Sequence, residues 1–356
     1  MKRRIGCLVL AGALLVGSVI PSLSFATGDV TNPDSNPPVN QEEVSSPKYL
    51  KVTRIKGGTR YETAVEVSKS LFTEPAQVDY VAIATGEDFV DGLVGGTLTA
   101  QEKFPLLLTK KNEVSQEVLD EIKRLKPKQI FIYGGEGAVS KEVENKIKEV
   151  NENVVRLAGR TRFDTAREIG AKRAELKNLS ILNFGDKKHF VNAHNFADSL
   201  SAAPYLARAT ESGGDVYPLM PYMEGQEAKE AQIIFGGEGA VVLAGKTRIA
   251  GKNRYETAIE VAKAYNDTIG VTVDTIVLVS GKNYPDGLAS ASVAAMSNGA
   301  VLLTDPVTLP PAVKKYIEDN KNIINLVIIG GENAVSSGAE KELKKIEVQE
   351  AGLPTD

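Results

Sequence analysis

The sequence predicts an α/β fold made of parallel sheets, on three observations. Short apolar runs, such as Tyr80 to Ala84 and Ile276 to Val279, alternate with segments of helical period. The runs are apolar throughout rather than alternating with polar residues, as strands covered on both faces require. One ordered set of sequence blocks occurs three times within the 356 residues, so the alternation belongs to one module used repeatedly.

The blocks fix the modules. RIKGGTRYETA starts at Arg54, RLAGRTRFDTA at Arg156 and RIAGKNRYETA at Arg248, spaced by 102 and 92 residues. A second block recurs as Phe89-Val-Asp91-Gly-Leu93, Phe196-Ala-Asp198-Ser-Leu200 and Tyr284-Pro-Asp286-Gly-Leu288. A third recurs as GGEGAV at Gly134 and Gly236 and as GGENAV at Gly330.

Each element follows in order. Thr59 with Glu62 is a capping-box pattern, which Thr161 with Asp164 and Asn253 with Glu256 approximate, so a helix starts at each. Tyr61, Ala64, Val65, Ser68 and Leu71 give that helix its apolar spacing. The apolar strand comes next, ended by Gly86 or Gly281, and the aspartate block opens a second helix rich in Ala, Gly and Ser. Pro105 to Leu108 and Val301 to Leu303 read as the next strand, and Glu117 to Leu125 as a helix. Ile130 to Tyr133 runs into the tight turn of Gly134 and Gly135, and a last helix, Lys141 to Val150, returns to the strand that opens the next copy. The second copy is shorter. Val139 to Arg156 spans 17 residues but Val241 to Arg248 only 7, which removes the last helix. Pro221 would disturb a central strand.

The ends differ from the repeats. Lys2, Arg3 and Arg4 precede 16 mostly apolar residues, Ile5 to Ile20, and Ser24-Phe25-Ala26 offers small residues at a cleavage point. Residues 1–26 therefore read as a secretory signal peptide; a membrane-spanning helix needs about 20 apolar residues. Residues 27–47, with four prolines, read as a flexible linker. The expected repeats cover 48–153, 154–246 and 247–346, and 347–356 form a C-terminal tail without a sortase-type signal.

Composition excludes several classes of function. The formal charge of −4 loses three basic residues and no acidic one with the signal peptide, leaving −7, which does not suit a nucleic-acid binder. Cys7, the only cysteine, leaves with the same segment, so disulfides and thiol catalysis are not expected. His189 and His194 are the only histidines and both lie in the irregular second copy, which argues against a zinc site. Ala240 to Thr247 resembles a loosened P-loop, but its interior is apolar and no helix is expected at Thr247. No G-x-S-x-G elbow occurs. No cofactor and no metal is expected.

Taken together, the three blocks resemble the type 2 cell-wall-binding repeat of Gram-positive, notably clostridial, surface proteins, over about residues 50 to 346. The resemblance implies three tandem Toprim-like (Rossmann-like) modules in a pseudo-threefold arrangement, a monomer with an internal pseudo-trimer. It implies a secreted protein held non-covalently at the cell wall or cell surface by an anionic wall polysaccharide or teichoic acid-like polymer, with peptidoglycan as another ligand. It also implies no transmembrane anchor and no catalysis of the chain's own. The alternatives are an N-acetylmuramoyl-L-alanine amidase-type hydrolase and a surface-layer or adhesive protein. A Toprim-type metal centre at Asp91 and Glu136 would need an Asp-x-Asp pair at the strand ends, and none is present.

The residues agree in part with that expectation. Arg54 and Arg60, Arg156 and Arg162, and Arg248 and Arg254 flank three helix starts with glycine just before them, a setting that suits anions. They are the expected polymer-binding residues. A second role is open to Arg54, Arg156 and Arg248: pairing with Asp91, Asp198 and Asp286, or with a neighbouring module, to hold the fold.

Overall fold

The computed structural model describes residues 48–74, 78–179, 187–225 and 231–348. The expected signal peptide, the expected linker and the tail beyond 348 lie outside these residues.

The first repeat opens with β1 (Lys48–Tyr49) and β2 (Lys51–Ile55), followed by α1 (Arg60–Leu71), β3 (Tyr80–Thr85) and α2 (Val90–Glu102). It continues through β4 (Leu106–Thr109), α3 (Gln116–Leu125), β5 (Gln129–Tyr133) and α4 (Lys141–Lys148). The second runs β6 (Val154–Leu157), α5 (Arg162–Leu176), β7 (Lys188–Asn192), α6 (Ala197–Glu211), β8 (Leu219–Tyr222) and β9 (Ala231–Phe235). The third begins with β10 (Thr247–Ile249), α7 (Arg254–Ile269) and β11 (Thr275–Ser280). A 3-10 turn at Asp286–Ala289 leads into α8 (Ser290–Met296), then β12 (Gly299–Thr304), α9 (Pro311–Asp319), β13 (Asn325–Ile329), α10 (Ser337–Leu343) and β14 (Glu347–Val348).

These strands form three four-stranded parallel sheets, ordered β4-β3-β5-β6, β8-β7-β9-β10 and β12-β11-β13-β2. The fourth strand of each sheet is the strand that opens a different repeat. Thus β6 lies on β5, with Arg156 opposite Ile132, and β10 lies on β9, with Arg248 opposite Ile234. The third sheet is closed by β2 from the start of the chain, with Arg54 opposite Ile328. β1 and β14 pair antiparallel beside it, Lys48 against Val348, so the described chain closes on itself as a ring. The central strands are buried on both faces, which accounts for their unbroken apolar runs.

The inner helices α2, α6 and α8 pack against one another around one axis. Small residues make the approach possible: a Cβ at Gly96 would lie 3.3 Å from the Cβ atoms of both Ala203 and Ala291. Ala100, Ala203, Ala207 and Ala291 form a separate buried cluster. At one end of the axis the rings of Phe89, Phe196 and Tyr284, one from each repeat, sit 5.4 to 6.2 Å apart centre to centre. This contact, made by the same position of the same block three times, gives the pseudo-threefold arrangement its physical form.

The second repeat differs where its sequence is short. Residues 236–246 join β9 to β10 without a helix, where the first and third repeats have α4 and α10. Eight residues separate β8 from β9, fewer than lie between β4 and β5 or between β12 and β13, where α3 and α9 stand. Pro221 lies in β8, an edge strand, where its missing N–H removes no bond from the interior of the sheet.

The helix starts fall where the blocks place them, with one refinement. Thr161 accepts from the Asp164 N–H while the Asp164 carboxylate accepts from the Thr161 N–H, a complete capping box. Glu62 and Glu256 instead accept from the N–H one residue earlier, at Gly58 and Lys252. Glutamate is one methylene longer than aspartate, so its carboxylate reaches further back. The reciprocal box is therefore complete at Thr161 and not at Thr59, whose sequence matches the pattern better.

Candidate functional site

In an open parallel sheet the natural crevice lies beyond the carboxyl ends of the strands, where the strand order reverses. Here that point lies between β3 and β5, between β7 and β9, and between β11 and β13. Each carries the same two features, a glycine turn and a buried aspartate. Gly134, Gly236 and Gly330 have φ of 98°, 111° and 112°, a region open to glycine and strained for other residues. A Cβ at these positions would meet Oδ2 of Asp91, Asp198 and Asp286 at 2.3, 2.5 and 2.7 Å respectively. The turn glycine thus makes room for the carboxylate of its own module.

Burial disfavours charge on these aspartates. It pushes the Asp91 carboxyl up to about 6, with Asp88 adding to the rise and Arg162 opposing it. Asp198 is also raised to about 6 by burial, with Arg254 opposing. Asp286 is raised by burial, against a hydrogen bond from Thr63 and the charge of Arg60. In every case the opposing arginine belongs to the repeat that follows around the ring.

Arg54, Arg156 and Arg248 lie on the strands that close the sheets, and all three grip the glycine turn. Nη1 of Arg156 donates to the Gly134 carbonyl at 2.7 Å, and Nε and Nη2 donate to Glu144 on α4 at 3.1 and 2.8 Å. Arg54 donates to the carbonyls of Gly330 and Val335 at 2.8 and 2.9 Å and through Nε to Glu340 on α10 at 2.8 Å. Arg248 donates to the carbonyls of Gly236, Val241 and Leu243 at 2.7, 3.1 and 2.6 Å. Among the described residues the ion-pair partners of Arg156 and Arg54 are therefore Glu144 and Glu340, and Arg248 meets carbonyls, so none of the three pairs with Asp91, Asp198 or Asp286. Burial opposes ionisation of Glu144, but hydrogen bonds from Lys141, Lys148 and Arg156 hold it down at about 2.

Arg60, Arg162 and Arg254 are the first residues of α1, α5 and α7 and face the crevice of the neighbouring module. Nη1 of Arg60 donates to the Gly86 carbonyl and that of Arg254 to the Gly281 carbonyl, both at 2.5 Å. The Arg254 guanidinium also stands over the Phe196 ring, 5.8 Å from its centre. Around Arg60 and Asp286 a groove of about 990 Å³ is lined by Thr59, Tyr61, Phe89, Phe196, Lys282 and Tyr284, among others. A second groove of about 370 Å³, which also contains Arg60 and Asp286, adds Lys56, Gly331 and Glu332.

Several residues here were not singled out by sequence reasoning. Phe89, Phe196 and Tyr284 head the three aspartate blocks, so an aromatic at one position in every copy was the available signal. Glu340 lies 286 residues from Arg54, and no local pattern links the two. His189 is buried against the Tyr217 ring, at 5.6 Å, and burial pushes its pKa down to about 3, while His194 is exposed. Thr247 opens β10, and the carbonyls of Val241 and Leu243 in the P-loop-like stretch serve Arg248. Among the described residues no helix is long and apolar enough to cross a membrane.

Comparison with known proteins follows the repeats. The family model described as cell wall binding domain 2 matches residues 54–144, 156–243 and 248–340. The N-acetylmuramoyl-L-alanine amidase LytC of Bacillus subtilis (strain 168) is 28% identical over 310 residues, covering 82% of this chain and 58% of that protein. The amidase enhancer of the same organism is 28% identical over 372 residues, covering 96% of this chain and 48% of its own length. The chain thus spans about half the length of these curated relatives. Among solved structures, Cwp8 from Clostridium difficile superposes with a TM-score of 0.68 at 27% identity, covering 83% of this chain and 51% of that one. Cwp6 from the same organism superposes with a TM-score of 0.67 at 22% identity, covering 89% of this chain and 51% of that one, a likeness of fold.

Proposed function

Because this chain belongs to the cell wall binding domain 2 family, matched in all three of its repeats, we propose that it is a secreted, non-catalytic anchor. It holds to the Gram-positive wall by binding an anionic polymer, teichoic acid-like or polysaccharide. One observation carries the reading: Arg60, Arg162 and Arg254 open three equivalent helices, and each faces the strand-end crevice of a neighbouring module. Guanidinium groups suit phosphate and carboxylate, and weak sites joined in one chain add avidity on a repeating polymer. Arg54, Arg156 and Arg248 take the fold-holding role in this reading, since their donors face turn carbonyls and Glu144 or Glu340. Asp91, Asp198 and Asp286 shape the crevices. Against the net charge of −7 expected for the secreted chain, Lys56, Arg60 and Lys282 supply positive charge locally, around the two neighbouring grooves at Arg60 and Asp286.

Purified protein should co-sediment with Gram-positive walls, and hydrofluoric acid, which strips phosphate-linked polymers, should abolish it. Unchanged binding to stripped walls would make peptidoglycan the ligand. The relationship to LytC keeps a hydrolase reading open to test: clearing of wall-embedded gels by the chain would establish one. Joint charge reversal of Arg60, Arg162 and Arg254 should abolish sedimentation with little change in melting temperature.

A further inference from the structure

Building on the anchoring reading, we propose that the three crevices are unequal, and that one polymer strand is gripped principally in the axial groove between Arg60 and Lys282. The groove is the first argument. At about 990 Å³ it draws on all three repeats, with Phe89 and Arg60 from the first, Phe196 from the second and Lys282 and Tyr284 from the third. A volume of this order holds a ligand rather than a single ion.

Charge is the second argument. The two residues before the axial aromatic are Glu87 and Asp88 in the first repeat, His194 and Asn195 in the second, and Lys282 and Asn283 in the third. Lysine stands in this loop only in the third repeat. Of the two acids at these positions in the first repeat, Glu87 lies on the wall of the axial groove, while Asp88 adds negative charge beside Asp91 and so disfavours an anion in the crevice of Asp91 and Arg162. In the crevice of Asp198, the Arg254 guanidinium stands over the Phe196 ring, whereas its bond to the Gly281 carbonyl is matched by that of Arg60 to Gly86.

Availability is the third. Lys282 is well exposed, and the carboxylate it pairs with, Asp305, is 3.9 Å away, so the ammonium is held loosely. The two acids on the groove walls have donors of their own. Glu87 accepts from the Lys111 N–H at 2.8 Å, and Asp286 accepts from Thr63. The groove thus presents two cations from different repeats, Arg60 and Lys282, to an incoming anion, while its two acids, Glu87 and Asp286, each accept from a donor of the protein.

The test uses the full chain with single charge reversals. Wall co-sedimentation should fall more than tenfold for Lys282→Glu and for Arg60→Glu, and less than threefold for Arg162→Glu and Arg254→Glu. Calorimetric titration with short inorganic polyphosphate should give one binding equivalent per chain, lost in Lys282→Glu. Lys282→Gln, which removes the charge at an exposed position, guards against a folding artefact and should lose several-fold. Equal losses at all three arginines, or three polyphosphate equivalents, would overturn the single grip and leave the anchoring reading intact. Polyphosphate that does not bind a chain still held by walls would also overturn it. Failure of the unaltered chain to sediment with walls would end both.

Discussion

The closure of the second sheet differs from that of the other two, and the difference separates what the shared geometry of the three repeats needs from what it can do without. Where the first and third sheets close, Arg156 and Arg54 bind a turn carbonyl and a carboxylate, Glu144 or Glu340, on the helix that follows the turn. Where the second closes, that helix is missing. Arg248 keeps the turn carbonyl at Gly236 and replaces the carboxylate with the carbonyls of Val241 and Leu243. The bond common to all three is from arginine to the carbonyl of the left-handed glycine. That glycine gives the crevice aspartate its room, so the arginine acts on the crevice through the turn.

The largest expected effect tests this directly. Arg156→Met leaves Glu144 with two lysine partners but removes its least exposed one, and also strips a donor from the Gly134 carbonyl. Breaking a half-buried ion pair of this kind costs about 3 kcal/mol. Arg248→Met strands neutral carbonyls alone, and should cost about 1–2 kcal/mol. Urea unfolding of both variants measures the difference. Equal costs would show that the carboxylate contributes nothing beyond the turn bond.

A somewhat smaller effect should appear in acid. Glu144 is held at about 2 in the fold, well below its ordinary value of 4.5. A depressed carboxylate contributes stability that is present above its unfolded pKa and lost as the pH falls toward its folded one, here between about 4.5 and 2. Glu144→Gln should flatten the melting temperature over that window. Among the described residues no carboxylate meets the closing arginine of the second repeat, so Arg248→Met should leave the acid limb of the profile unchanged. A changed acid limb would mean that Arg248 has an acidic partner after all.

Much of this was legible in the chain. The strands and helices of the first and third repeats fall where the apolar runs and caps place them, because local spacing decides them: Tyr80 to Thr85 and Gln116 to Leu125 are examples. The shortened loop from Val241 to Arg248 already carried the missing helix. Sheet closure was not legible, since the pairing of β2 with β13 joins residues at opposite ends of the described chain. For the same reason Arg54 showed no partner in sequence. The aspartates drew attention through repetition, but their burial comes from packing under a turn some 40 residues away, as Asp91 lies under Gly134. Charged residues look alike in sequence whether they face a groove, as Arg60 does, or a turn, as Arg156 does.

The smallest effect concerns what the three modules share. Asp91 and Asp198 are both raised to about 6 by burial, against an ordinary value of 3.8. A carboxyl whose folded pKa is raised contributes stability that is fully present below its unfolded pKa and is lost as the pH rises through the folded one. Their contribution should therefore grow as the pH falls from about 6 toward 3.8, the opposite of the trend that Glu144 sets below 4.5. Asp91→Asn and Asp198→Asn should each flatten the melting temperature in the upper window while keeping the side chain's shape under the turn. The two variants should act alike even though one module has its closing helix and the other does not, because the carboxylate sits against the glycine turn and not against that helix. A flattening confined to Asp91→Asn would tie the effect to the neighbouring Asp88, which raises Asp91 and has an uncharged counterpart, Asn195, in the second repeat.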